Sequence, residues 1–139
     1  MPSPNTIQLP ALVGEWLSDC GAVITAELKR KSGDVVLVGA NFTMMMSGLS
    51  FARALNASLG RNRRLDNIKE PGSAGARTLR ISNWEVLVPI LRRVGVTIDP
   101  DARQSIISGD PRSVVRSMVQ LHALVGNPDK ADSARAAAH

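Results

Sequence analysis

The chain has no tyrosine, and Trp16, Trp84, Phe42 and Phe51 are its only aromatic side chains. With rings this scarce, no basic stretch is interleaved with aromatics that could stack on unpaired bases. Cys20 is the only cysteine. An intrachain disulfide is therefore excluded, which is compatible with a reducing compartment, and the ordinary role for a lone Cys is a small buried thiol. The opening "MPSPNTIQLP" lacks the basic run and apolar core of a secretory leader. The most apolar later stretch, "VVLVGANFTMMM", is interrupted by Gly39 and Asn41 and falls short of the roughly 20 residues that span a bilayer. A cytoplasmic protein without a membrane span is expected.

Catalytic signatures are missing as well. There is no Walker A loop, G-x-G-x-x-G, H-E-x-x-H or G-x-S-x-G. Of the two histidines, His122 falls beside an apolar helical stripe and His139 in the tail. Neither has a second His, a Cys or a suitably spaced carboxylate nearby, so no metal ligands are expected. The sequence reads as a non-enzymatic interaction module with no cofactor and no small-molecule substrate.

What is present is an ordinary domain's worth of apolar residues. A length of 139, with 44% hydrophobic and 21% charged residues, suits one hydrophobic core. The net charge of +5 is unevenly placed. Residues 1–60 carry four basic and four acidic side chains, and residues 94–139 carry five of each. Between them, Arg61, Arg63, Arg64, Lys69, Arg77, Arg80, Arg92 and Arg93 face only Asp66, Glu70 and Glu85. The whole excess sits in that segment, and such a cluster favours an acidic partner through its summed field.

Periodicity predicts helices along most of the chain. Leu9, Leu12, Val13, Trp16 and Leu17 recur near helical spacing and imply an amphipathic helix that buries Trp16. "DVVLVGAN" has local strand propensity, but an isolated strand is not expected to survive in a helical bundle. Thr43 is a candidate cap for a helix through "MMMSGLSFARALNASLG", with Met45, Leu49, Ala52, Leu55 and Leu59 on its apolar side and Gly60 at its end. "RNRRLDNIKEPGSAGART" is a basic loop. Ser82 and Glu85 have capping-box spacing ahead of a stripe of Trp84, Leu87, Val88, Leu91 and Val94. Glu85, Arg92 and Arg93 fall on the other side, Pro89 should kink the helix, and Gly95 stops it. A short helix follows with Ile106 and Ile107 as anchors. The last helix has Asp110 as cap and Pro111 at its first position, and buries Val114, Val115, Met118, Leu121 and Val125. These last two helices are spaced like a helix-turn-helix, yet Val114 and Val115 leave only Arg112, Ser113 and Arg116 to read bases, so nucleic acid ranks low among partners.

Together, "LRISNWEVLVPILRRVGVTID" and "ARQSIISGDPRSVVRSMVQLHALV" resemble the second half of a calponin-homology domain, in particular the divergent single-domain subgroup of sperm-flagellar and ciliary proteins. Leu79, Asn83, Trp84, Leu87, Leu91, Gly95, Ile106, Ile107 and Gly109 carry the likeness. "LVGEWL" and "SGLSFARALN" resemble the family's first-half helices, with Ser47 in place of the usual Asp before Gly48. The resemblance spans about residues 9–125. It implies an all-α, compact helical bundle with a short irregular or extended insertion around 33–42, an N-terminal extension at 1–8 and a polar, alanine-rich tail at 126–139. The expected core is Trp16, Leu49, Leu55, Trp84, Leu87, Leu91, Ile106, Ile107, Met118 and Leu121. The implied function is cytoskeletal, at microtubules in the cytoplasm, cilium or flagellum, with Arg61, Arg63, Arg64, Lys69, Arg92 and Arg93 meeting acidic tubulin. A protein-interaction scaffold that does not touch the filament is the alternative, followed by an actin-binding module.

Overall fold

A computed structural model of the chain describes residues 5–72, 75–127, 129–132 and 136. The first four residues of the expected extension, positions 73 and 74 of the basic loop, and tail positions 128, 133–135 and 137–139 lie outside the described residues.

The fold is mostly helical but not all-α. Strand β1 (Ile7–Pro10) leads into α1 (Ala11–Asp19), and a 3-10 turn at Thr25–Glu27 precedes β2 (Lys29–Lys31) and β3 (Asp34–Leu37). The three strands form an antiparallel sheet in the order β1-β3-β2. This corrects the all-α expectation. The apolar run at 35–38 is stable as a strand because it is central: Val35 pairs with Leu9 on one side and Arg30 on the other. Its alternation is that of a half-buried strand, with Val35 and Leu37 buried and Asp34 and Val36 partly exposed. Ile7 and Leu9 of β1 are buried on the same face. Thus Leu9 belongs to the sheet and not to the first helix's stripe, and the ordered core begins at Ile7, within the stretch assigned to the extension.

Helix α1 lies on this sheet. At Gly14 an added Cβ would fall 2.0 Å from Val35 Cγ2, so the glycine that dilutes the helical pattern is what lets helix and strand approach. The consequence is a rotated helix: Val13 and Leu17 are buried, Trp16 is only half-buried, and Leu12 is 73% exposed. Trp16 instead packs from the rim, its ring edge-on to His122 with centroids 5.2 Å apart.

Helices α2 (Gly39–Ser47) and α3 (Leu49–Leu59) replace the single helix expected from Thr43 onward. Thr43 is inside α2, where its hydroxyl donates to the Gly39 carbonyl at 3.2 Å. The break is Gly48, whose φ of +89° lies in the left-handed region open to glycine. Leu49, expected in the core, is half-buried at this junction, whereas Phe51, Ala54 and Leu55 behind it are buried. A short 3-10 segment at Arg63–Asn67 is followed by α4 (Ala76–Val94), α5 (Pro100–Ser108) and α6 (Arg112–Val125).

Helix α4 starts six residues before Ser82, so the capping-box reading of Ser82 and Glu85 fails; Leu79 extends the buried stripe one turn upstream of Asn83. Pro89 is accommodated within the helix on its exposed side. Gly95 ends it as expected, and Asp99 caps α5 by accepting from the Ala102 amide at 2.8 Å. Asp110 accepts from the Arg112 amide at 3.0 Å at the start of α6. Trp84, Leu87, Leu91, Ile106, Met118, Leu121 and Leu55 are buried together with Ile107. Ala131, beyond the expected domain end, also packs on this core.

Candidate interaction surface

The centre of the molecule is a polar clip on α4. Asn83 is fully buried: its side-chain oxygen accepts from the Lys69 amide at 2.8 Å, and its nitrogen donates to the Ser47 and Lys69 carbonyls at 2.9 Å each. Beside it, Trp84 Nε1 donates to the Met46 carbonyl at 2.8 Å, and its ring meets Phe51 edge-on at 5.0 Å. Met46 and Ser47 end α2, where carbonyls have no following helical turn to bond. The Asn-Trp pair therefore caps α2 from a distance. Gly48 makes the approach possible, since a Cβ there would fall 2.3 Å from Leu87 Cδ1.

The same clip ties down the basic loop. Lys69 is held through its backbone, and Asn62 closes the loop's near end by donating its backbone N–H to Asn56 Oδ1 at 3.1 Å. Leu65 is buried below, while Arg61, Arg63, Arg64 and Lys69 are exposed around it. Arg61 pairs with Asp66 at 3.0 Å. Arg63, Arg64 and Lys69 have no acidic side chain within ion-pair distance among the described residues. Arg92 and Arg93 are likewise exposed on the side of α4 opposite its core stripe. They follow Asn83 by nine and ten positions, about 14 to 15 Å of helical rise. The structure thus exposes all six basic residues but divides them into a loop group tied near Asn83 and a pair at the helix's C-terminal end.

Arg80 has another role. Its Nε donates to the Ile107 carbonyl at 2.9 Å, at the C-terminal end of α5, and burial followed by the neighbouring Arg77 charge pulls its pKa below the usual guanidinium value. Its side chain also borders a cavity of about 290 Å³ with Phe42, Met46 and Leu79. Cys20 is half-buried, and its thiol pKa is raised mainly by that burial. No group of three or more His, Cys, Asp and Glu side chains that could hold a metal occurs among the described residues. No described helix is long and apolar enough to cross a membrane.

Comparison with protein-family models, curated proteins and solved structures returned no match.

Sequence reasoning named Asn83 as part of the family likeness but missed the hydrogen-bonding role of three buried polar residues. Besides Asn83, Asn41 exchanges two hydrogen bonds with the Ile24 backbone, at 2.6 and 3.0 Å, and the Ser50 hydroxyl donates to the Ala22 carbonyl at 2.8 Å. Each was visible as a polar residue inside an apolar stripe, a position normally occupied only when its hydrogen bonds are met. The basic run at 29–31 followed by Ser32-Gly33 has the look of a helix end facing its own dipole, but it forms strand β2 and the hairpin turn to β3 instead.

Proposed function

We propose that the chain is a non-catalytic binding module for an acidic protein surface, with the microtubule as the filament best matched to its chemistry. The observation that carries this reading is the set Arg63, Arg64, Lys69, Arg92 and Arg93, exposed and without acidic partners among the described residues. A positive field of this kind speeds encounter with an acidic lattice and is screened over roughly 8 Å at physiological salt. The likeness of the Asn83-Trp84 segment to calponin-homology domains of ciliary proteins supports a cytoskeletal setting. The loop's anchoring by Asn83 supports a preformed surface, which lowers the ordering cost of binding.

The test is co-sedimentation with microtubules and with actin filaments at low and physiological salt. The parent should pellet with microtubules at low salt and less as salt rises. An Arg92→Glu, Arg93→Glu variant should stay folded and pellet less. If the parent never pellets, or the folded variant pellets equally well, the filament reading fails and the scaffold alternative takes its place.

A further inference from the structure

The sheet ends on an open edge whose chemistry is of one sign. In the order β1-β3-β2, strand β2 has β3 on one side and, among the described residues, no strand on the other, and its three residues Lys29, Arg30 and Lys31 are all exposed. The turn that joins it to β3 has positive φ at both positions, 49° at Ser32 and 84° at Gly33, as a two-residue type I′ hairpin requires. In such a hairpin the flanking pair, here Lys31 and Asp34, is hydrogen-bonded. Bonded and non-bonded pairs alternate along an antiparallel ladder, so Arg30, opposite Val35, turns its N–H and C=O away from β3 towards the open edge. Neither group has a partner among the described residues.

Side chains alternate with the same period. Arg30 shares the face of buried Val35 and reaches Glu15 on α1 at 3.1 Å, while Lys29 and Lys31 stand on the opposite, solvent face. Charged residues on an edge commonly guard against strand pairing. This guard is selective, because it repels a second copy of itself and attracts a strand of opposite charge.

We propose that β2 is a strand-addition site for an extended acidic segment of a partner protein, in which acidic side chains at alternate positions face Lys29 and Lys31 while the intervening residue exchanges backbone hydrogen bonds with Arg30. The register follows from the ladder. An incoming antiparallel strand is bonded at Arg30 and non-bonded at Lys29 and Lys31, and the non-bonded positions bring opposing side chains closest. The recognised pattern is therefore acidic-x-acidic. The main-chain bonds give the pairing and the two lysines give its selectivity, as in other strand-addition modes. This site is independent of the loop and helix residues assigned to filament binding.

The experiment titrates the isotope-labelled full chain with the blocked peptide Thr-Glu-Val-Glu-Val-Glu-Thr at low salt and follows amide exchange and chemical shift. Exchange of the Arg30 amide should slow on binding, and affinity should fall as salt is raised. A Lys29→Glu, Lys31→Glu variant with an unchanged fold should lose about tenfold in affinity, from two opposite-charge pairs made repulsive, whereas Arg92→Glu, Arg93→Glu should bind as the parent does. A peptide N-methylated at alternate residues keeps the charge and loses the donors, and should not bind. Equal binding of that peptide, loss of binding in the helix variant but not in the strand variant, or no binding at low salt would each overturn the proposal.

Discussion

Replacing Asn83 by alanine removes a single amide and leaves three backbone groups to find new partners. The Ser47 carbonyl is the critical one, because it ends α2, belongs to a buried residue and receives only the Asn83 donor in this clip. An orphaned buried carbonyl costs about 1 to 3 kcal/mol, and each bond lost to the more accessible Lys69 backbone about 0.5 to 1.5 kcal/mol before water compensates. A net loss of about 2 to 4 kcal/mol follows. With a urea m-value of about 2 kcal/mol/M, the unfolding midpoint should fall by roughly 1 to 2 M. Amide exchange supplies the local readout: the Lys69 N–H, held at 2.8 Å by Asn83, should be protected in the parent and lose protection in the variant. Asn83→Asp separates hydrogen bonding from shape. It keeps the acceptor for Lys69 but aims a buried carboxylate at two carbonyls, so its folded-state pKa is pushed above the unfolded value of about 3.9. A raised carboxyl pKa makes the charge penalty grow as pH rises above the unfolded value. The variant should therefore be less stable than Asn83→Ala at neutral pH and recover relative to it in acid. A midpoint unchanged in Asn83→Ala, or an aspartate variant that matches the parent at neutral pH, would refute the clip.

Trp84→Ala should cost about 3 to 5 kcal/mol, the range for truncating a buried aromatic, because the indole is fully buried against Phe51 and bonded to the Met46 carbonyl; denaturant unfolding measures it. If this variant stayed fully stable yet lost a partner, Trp84 would be a binding residue and not a core anchor. Gly48→Ala combines a φ of +89° with a Cβ 2.3 Å from Leu87 Cδ1, so left-handed strain of about 1 to 2 kcal/mol and overpacking of about 1 to 3 kcal/mol should lower the melting temperature clearly. Gly60→Ala shares the positive φ but has open space at its Cβ, and should lose less. Hydrogen bonds from Arg112 hold the Asp110 carboxyl below its ordinary value. The stabilisation that depends on this depressed pKa is present above the unfolded value and lost as pH falls through the folded one, so the stability gap between parent and Asp110→Asn should narrow only in acid.

The helical part of the fold was legible where one residue type settles the local geometry. Gly60 and Gly95 mark real ends of helices, and the Trp84, Leu87, Leu91 stripe is buried as its 3.6-residue period implies. Helix starts were harder to read. Ser82 and Glu85 have the spacing of a cap, but the helix continues through them because Leu79 adds another turn to the buried face, a packing gain that outweighs a local capping preference. The sheet was illegible for a different reason. β3 is central because Leu9 of β1, remote from Val35 in sequence, pairs with it on one side, and a local window does not see that neighbour; Arg30 on the other side is joined to it by a short hairpin. Gly14 dilutes the helical pattern of α1 when only local sequence is considered, because the strand that its missing side chain admits is also remote.

Charge shows the same limit at the level of the candidate sites. Counting by segment balances Lys29, Arg30, Lys31 and Arg53 against Glu15, Asp19, Glu27 and Asp34, and the first sixty residues look neutral. Folding pairs these charges unequally. Glu15 is taken by Arg30 on the helical side of the sheet, and the Asp34 carboxylate accepts from the Gln8 side chain at 2.6 Å, while Lys29 and Lys31 have no ion-pair partner among the described residues. A surface pair such as Arg30 with Glu15 contributes little to stability, but it fixes which charges remain available to a partner. Two basic surfaces therefore have to be told apart by experiment, one on the loop and α4 and one on the edge of the sheet. A partner that needs only a positive field should respond to charge reversal on either, whereas a strand-forming partner should respond to β2 alone and to the loss of its own backbone donors.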